Sequence, residues 1–450
     1  VSESLGSTSW YLRMLRDSPA AAERLSQLLS SSRPMTDLLE DASASIAWLD
    51  KVADLKPLGE EALASEISSL LARHEDAAEA MRAVRYLRRR ETLRTAMGWT
   101  LGIVDIEDTC AGLAAIDECT IGAALQIALR ELQAAPEGAE PAEAAEPAEA
   151  EETAGEKLLT RIAVIGMGRL GGAENGFGSD ADVMFVHEPL DGADEDAAQE
   201  QAARIVNRTL ALLKQPVKPA IRAERPLEVD ADLRPEGKQG AIVRSLDSYR
   251  SYYERWAETW EFQALTRARP IAGDEALGRA FVELIDPYRY PATFTPEQVQ
   301  QIRRMKARVE NERMPHGADR TRQLKLGRGG LSDVEWLVQL VQLRHAHAVP
   351  GLRTTSTLKA LNAAVEAGLI EAADAEILSG AWLLATKIRG GNVLRGVRQS
   401  DTLPSGRDDL EAIARWCGYP AGSARAIEED YLRQTRNARK VYERLFFEEL

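Results

Sequence analysis

Cysteine, histidine, aromatic residues and net positive charge are all scarce in this chain of 450 residues, and each scarcity removes a class of protein. The three cysteines, Cys110, Cys119 and Cys417, are odd in number and lack metal-ligand spacing. They suit free buried thiols in a reducing cytoplasm rather than a disulfide scaffold or a zinc site. Of the five histidines, His345 and His347 stand two apart in a helical pattern, so they do not share a helix face. No apolar run reaches the length of a membrane span, and no secretory leader opens the chain, which leaves a cytoplasmic protein with no membrane partner as the expectation. Formal net charge is −15, against nonspecific binding of nucleic acid. Nearly half of that excess is local, because residues 136–157 hold eight Glu against one Lys.

What is present is enough for two or three domains with cores of their own, since 44% of residues are hydrophobic. Residues 9–134 read as successive helices, with Ser18 before Pro19 and Thr36 before Asp37 as helix starts. The arginine-rich stretch 82–94 reads as a solvated charged face. Between residues 135 and 157 the sequence degenerates into Ala, Glu and Pro, too poor in large apolar groups to offset chain entropy, and a disordered insertion is expected. Periodicity then changes. Ile162 to Ile165 form a short buried strand, Val183 to Val186 another, residues 197–214 an amphipathic helix and residues 227–233 a third strand. From about residue 295 the pattern is helical again. The expected division is a helical region over 1–108, a mixed catalytic domain over 109–290 and a helical bundle over 291–450. The chain opens on Val1 in a sequence that already reads as helical interior, so a piece of a longer polypeptide is expected.

The most informative stretch is residues 168–187, GRLGGAENGFGSDADVMFVH. Asp180 and Asp182 stand two apart at the head of a strand, which puts both on one face. Two carboxylates about 4 Å apart repel by roughly 4 kcal/mol at an effective dielectric near 20, and a hard divalent cation shared with substrate phosphates relieves that repulsion. Gly176, Gly178 and Ser179 precede them and allow close backbone approach to a triphosphate. Metal-assisted nucleotide transfer needs a third acidic group near the attacking oxygen. Asp230 is the natural choice, with Glu228 and Asp232 open as alternatives on the same short strand. Lys325, beside several glycines, suits a phosphate contact. Arg267 and Arg269 cannot share a helix face, so at most one reaches phosphate. Asp333 and Glu335 either serve the site or tether the helix that follows.

These residues resemble the polymerase-beta-like nucleotidyltransferases, whose signature is a hydrophobic residue, Gly and then Gly or Ser, followed by 9 to 13 residues and Asp-h-Asp. Met167-Gly168-Arg169 stands ten residues before Asp180. Arg169, followed by Leu-Gly-Gly and Glu174 with one Ala between, is similar to the glutamine synthetase adenylyltransferase family in particular. Residues 228–235 (EVDADLRP), 260–269 (WEFQALTRAR) and 325–336 (KLGRGGLSDVEW) resemble further motifs of that family. Asp232 replaces the arginine the family carries there, while Arg234 is kept. The resemblance implies an α+β nucleotidyltransferase core, a small mixed sheet with helices, flanked by N-terminal and C-terminal helical domains. It implies ATP as substrate, Mg²⁺ or Mn²⁺ on Asp180, Asp182 and Asp230, and phosphate contacts from Gly168, Arg169, Gly178, Ser179 and Lys325. Supporting roles fall to Glu174, Arg234, Glu261, Arg267, Asp333 and Glu335. Glutamine synthetase is the implied protein substrate and a PII signalling protein a further partner. Members carry two such units, one attaching AMP and one removing it, and this sequence resembles the attaching half of an actinobacterial-type enzyme.

Overall fold

A computed structural model of the chain describes residues 9–134, 156–221, 225–397 and 401–449. The acidic segment expected to be disordered falls outside them, apart from Glu156 and Lys157. The N-terminal helices are α1 (Ser9–Asp17), α2 (Pro19–Ser31), α3 (Arg33–Asp41), α4 (Glu60–Leu71), α5 (Ala77–Thr100) and α6 (Ile106–Gln133). Ser18 caps α2 as its position before Pro19 predicts, whereas α3 starts earlier than Thr36 because the Ser32 hydroxyl accepts the Met35 N–H and Pro34 sits in the first turn.

The sheet is built from β1 (Thr160–Gly166), β2 (Ala181–Pro189), β3 (Val229–Asp230), β4 (Val243–Ser245) and β5 (Arg269–Gly273). Between them lie the short α7 (Gly168–Gly171), α8 (Glu195–Lys214), α9 (Leu246–Arg255) and α10 (Thr259–Leu265). Strand β2 is central. It pairs antiparallel with β1 and parallel with both β3 and β4, and β1 pairs antiparallel with β5 on its far edge. Both faces are covered, which is why β1 and β2 read as continuous apolar runs. Val164, Val183 and Phe185 pack with helices α4, α5, α6 and α8; Ala163, Ile165, Met184 and Val186 pack with α9 and α11 (Glu275–Arg289). The third expected strand shrinks to two residues, Val229 and Asp230, and β4 and β5 escape the sequence pattern because they are short.

The C-terminal bundle comprises α12 (Pro296–Glu312), α13 (Leu331–His345), α14 (Thr357–Glu366), α15 (Ala372–Arg395), α16 (Arg407–Trp416) and α17 (Ala424–Glu443). Its core is continuous with the N-terminal helices: Tyr11, Leu28, Met35 and Leu39 belong to the same buried cluster as Leu337, Trp382, Ile413 and Phe446. Helix α5 connects the two halves as a rod about 36 Å long. Met81, Val84 and Leu87 of its first half enter the sheet core, and Leu93, Met97 and Trp99 of its second half enter the bundle core. Helix α6 is long and apolar enough to cross a membrane, but it is mostly buried, packed against α5, α8 and β5 as a core helix.

The two ends that flank residues 135–155 meet, since the Glu156 N–H donates to the Leu132 carbonyl at 3.0 Å. Deleting residues 136–154 is therefore expected to move the melting temperature by less than about 4 °C, the shift about 1 kcal/mol produces. A larger fall in a thermal scan would show that the segment packs.

Candidate functional site at the head of the central strand

Where β1 ends, the chain turns at Gly168 with φ +50°, and a β-carbon there would collide with the Asp182 carboxylate. Only glycine permits this approach of backbone to carboxylate. The Met167 N–H donates to the Asp182 carbonyl at 2.8 Å, and the Ala181 N–H donates to the Glu228 carbonyl at 2.8 Å. These bonds bring Asp182 opposite Asp230 in the parallel β2–β3 register. Burial pushes the Asp182 carboxyl up to about 6; Asp230 and Asp180 add to the rise, while Lys325 and Arg313 oppose it. Asp230 is exposed, and its Oδ1 accepts the Asp232 N–H at 2.7 Å. Asp180 lies one residue ahead of the strand and is exposed. Residues 176–179 close a turn in which Ser179 Oγ accepts the Gly176 N–H at 3.0 Å. Phe177 anchors that turn by stacking on Trp99, ring centroids 5.8 Å apart.

Two clefts flank this carboxylate ledge. One, of about 620 Å³, runs between the sheet and the bundle and is lined by Gly168, Lys325 and Arg313 near the ledge and by Arg308, Trp260 and Trp336 among others. The other, of about 680 Å³, is lined by Gly178, Ser179, Asp180 and Glu228 with Arg85, Arg89 and Arg225. Arg85 donates to the Leu212, Leu213 and Gln215 carbonyls, closing the end of α8, and Arg88 pairs with Asp117 at 2.9 Å. The arginines of α5 are thus partly structural, and not the wholly solvated face expected from sequence.

The remaining candidate residues brace the ledge. Arg267 is buried, ion-paired with Glu174, and donates to the Gly168 carbonyl at 3.0 Å and to Thr357 Oγ1 at 2.9 Å. Glu174 in turn accepts the Thr357 N–H at 2.6 Å at the head of α14. Arg269 pairs with Glu118 and donates to the Gly171 carbonyl at 3.0 Å. Both arginines therefore grip the glycine turn, one from each side. Arg169 meets Glu335 at 3.3 Å, with Trp382 beneath its guanidinium at 5.8 Å. Burial alone would raise the Glu335 carboxyl, yet Arg169, Arg267 and Lys325 hold it below the usual range. Asp333 is buried between Lys306 (2.7 Å) and Arg439 (3.0 Å) and accepts the Gly329 N–H at 2.7 Å, so it tethers the glycine loop to α12, α13 and α17. Arg234 ties its own loop through the Ala231 and Gly240 carbonyls, and Glu261 completes the capping box of α10. Lys325 is exposed, with no ion-pair partner among the described residues. Sequence reasoning missed Arg308, Arg313, Trp260 and Trp336 as cleft residues; for Trp260 and Trp336 the only signal was their place in the stretches 260–269 and 325–336.

Among the described residues no group of three or more His, Cys, Asp or Glu side chains is gathered closely enough to hold a metal ion. Asp180, Asp182 and Asp230 are accordingly not gathered as such a group, although Asp230 and Asp180 both lie close enough to add to the rise of the Asp182 pKa that burial begins. The pair Asp182 and Asp230, level with each other on adjacent strands, has the donor chemistry of a hard divalent cation.

Residues 22–284 match the family model of glutamate-ammonia ligase adenylyltransferase, more than half of the chain. The chain belongs to that family. Residues 303–446 match a second model, that of the GlnD PII-uridylyltransferase. Three bifunctional glutamine synthetase adenylyltransferase/adenylyl-removing enzymes are similar to nearly the whole chain. That of Leifsonia xyli subsp. xyli is 47% identical over 99% of this chain and 41% of the relative; that of Streptomyces avermitilis is 46% identical over 99% and 44%. The Mycobacterium tuberculosis enzyme is 43% identical over 99% and 43%. The chain thus spans less than half the length of these relatives. In this adenylyltransferase family member, the sheet, the Gly168 turn and the Asp182–Asp230 register all lie inside the segment matched by the family model.

Two consequences are measurable. The raised Asp182 pKa means the folded chain keeps a proton there that the unfolded chain has lost, so without metal, stability falls as pH rises from 3.8 through about 6. In EDTA at pH 7.5, Asp182→Asn should be more stable than the parent by about 1–3 kcal/mol, with the gap closing toward pH 4, as read by urea unfolding. A gap independent of pH would contradict the assignment. Arg267→Met strands a buried Glu174 and should cost about 3–5 kcal/mol, whereas Arg208→Ala in the exposed pair with Glu131 should cost under about 1 kcal/mol. Equal losses would mean that the Arg267 clamp carries no special load.

Proposed function

We propose that this chain transfers AMP from ATP to a tyrosine hydroxyl of glutamine synthetase and releases pyrophosphate. The observation that carries the proposal is the Gly168 backbone lying against Asp182 beside a cleft whose wall holds Lys325, Arg308 and Arg313. The chain's family and the names of its relatives supply the nucleotide and the acceptor.

In this reading the triphosphate lies over the Gly168 turn. Lys325, exposed and without an ion-pair partner, meets its charge together with Arg313. Asp182 and Asp230 would hold Mg²⁺ or Mn²⁺, which neutralises phosphate charge and polarises the α-phosphorus when bound. Asp230, exposed on the edge strand, accepts the tyrosine proton as the phenolic oxygen bonds to the α-phosphorus and the bond to pyrophosphate breaks. The braces around Arg267, Glu174 and Asp333 act before any substrate arrives, fixing the turn and the Lys325 loop in place. The match of residues 303–446 to a PII-uridylyltransferase model supports a PII protein as a partner of the bundle. Phosphorolytic removal of AMP, in which orthophosphate attacks the α-phosphorus, the bond to the tyrosine oxygen breaks and ADP leaves, is the alternative reaction for the same ledge, and the relatives' names include adenylyl removal.

Labelled ATP, divalent metal and unmodified glutamine synthetase test the direction. Label should move onto the synthetase faster than orthophosphate removes it. Asp182→Asn should lose at least about 10²-fold in transfer, and Lys325→Ala should raise KM for ATP with an unchanged melt. Near-normal transfer by Asp182→Asn, or faster removal than attachment by the parent, would overturn the proposal.

A further inference from the structure

The cleft between sheet and bundle is chemically graded. Its cationic end lies by the ledge, with Lys325 and Arg313 close enough to act on Asp182. Another part of its wall is aromatic and amide-lined: Trp260, Trp336, Met305, Gln263 and Gln339. Trp260 is half-buried on α10, its indole N–H donating to Glu258 at 2.8 Å; Trp336 is half-buried on α13, with the Lys306 ammonium 5.9 Å from its ring. Indole rings in a cleft wall suit a planar heterocycle. In the same cleft Gln263 Nε2 donates to Gln339 Oε1 at 2.7 Å. Gln263 is 3% exposed, and Gln339 is half-buried on the neighbouring helix.

Each primary amide has one acceptor and one two-proton donor group. Once the Gln263 amide has donated to the Gln339 carbonyl, the Gln263 carbonyl oxygen and the Gln339 amide nitrogen remain, and among the described residues neither has a protein partner. An acceptor and a donor from two bonded amides of one cleft complement the amino group and adjacent ring nitrogen along an edge of adenine, the same donor and acceptor types by which glutamine reads that base in a nucleic-acid groove.

We infer that Gln263 and Gln339 together read the 6-amino edge of the nucleotide base, making this amide pair the base-specificity element of the cleft. The inference rests on the proposal that the cleft takes ATP. Gln263 Oε1 then accepts from the 6-amino group and Gln339 Nε2 donates to the ring nitrogen, and methionine at either position keeps the length without the hydrogen bonds.

The test compares dissociation constants for ATP and for purine riboside 5′-triphosphate, which lacks the 6-amino group, on the parent chain and on Gln263→Met and Gln339→Met, with a thermal melt of each. The parent should prefer ATP by about tenfold, the worth of one well-made hydrogen bond. Gln263→Met should bring the ratio below about twofold, whereas Gln339→Met should weaken both triphosphates alike and keep the preference, each variant losing only the few degrees that one hydrogen bond is worth. A preference retained in Gln263→Met, or absent from the parent although ATP binds, overturns the base-reading role and leaves the nucleotide cleft standing. A parent that binds neither triphosphate overturns the nucleotide cleft as well.

Discussion

The arrangement depends on one apposition: the Gly168 backbone pressed against the Asp182 carboxylate. A carboxylate there loses hydration on one side and faces Asp230 on the other, and its raised pKa records both effects. Such a position is unfavourable for an isolated chain and suitable for a site that handles cations and phosphates. The turn must therefore be held by interactions strong enough to outweigh that cost. Arg267 and Arg269 hold it from two sides, through the Gly168 and Gly171 carbonyls, and each is neutralised by a buried acid, Glu174 or Glu118.

Those acids explain how distant parts of the chain enter the site. Glu118 comes from the core helix Ile106–Gln133, while Glu174 also receives the Thr357 N–H at the head of a bundle helix. The sheet domain and the bundle are thereby joined at the same turn that shapes the ledge, and the cleft between them inherits its geometry from that joint. Asp333 repeats the device on the opposite wall, where Lys306 and Arg439 fix the loop that carries Lys325. Charged groups that look catalytic in the sequence are here divided between a small reactive set and a larger buried frame, and breaking a buried pair is costly because it leaves an uncompensated charge.

Much of this was legible in the sequence wherever a local pattern decides the outcome. The apolar runs of β1 and β2, the Asp180 and Asp182 spacing and the cap at Ser18 all follow from period and side-chain chemistry. The roles of Arg267, Glu174 and Asp333 were not, because a long-range ion pair leaves no trace in spacing: Arg267 and Glu174 are 93 residues apart, and Arg439 and Asp333 are 106 apart. The strand expected over 227–233 shrinks to Val229–Asp230, and Val243–Ser245 carries too little alternation to be read; both exist only because β2 offers an edge. The strand itself begins only at Ala181, so Asp180 stands one residue ahead of the alternation that the spacing assumes.

Central to the account is the claim that the Asp182–Asp230 ledge holds the cation and that the cleft running from Lys325 to Trp260, rather than the arginine-lined one, takes the nucleotide. A crystal grown with Mn²⁺ and a non-hydrolysable ATP analogue tests it most directly, through the anomalous signal of manganese. The account predicts manganese bound by Asp182 and Asp230, phosphates over Gly168 within reach of Lys325, and the base between Trp260 and Trp336. Manganese away from both carboxylates, or the nucleotide lodged among Arg85, Arg89 and Arg225, would contradict it.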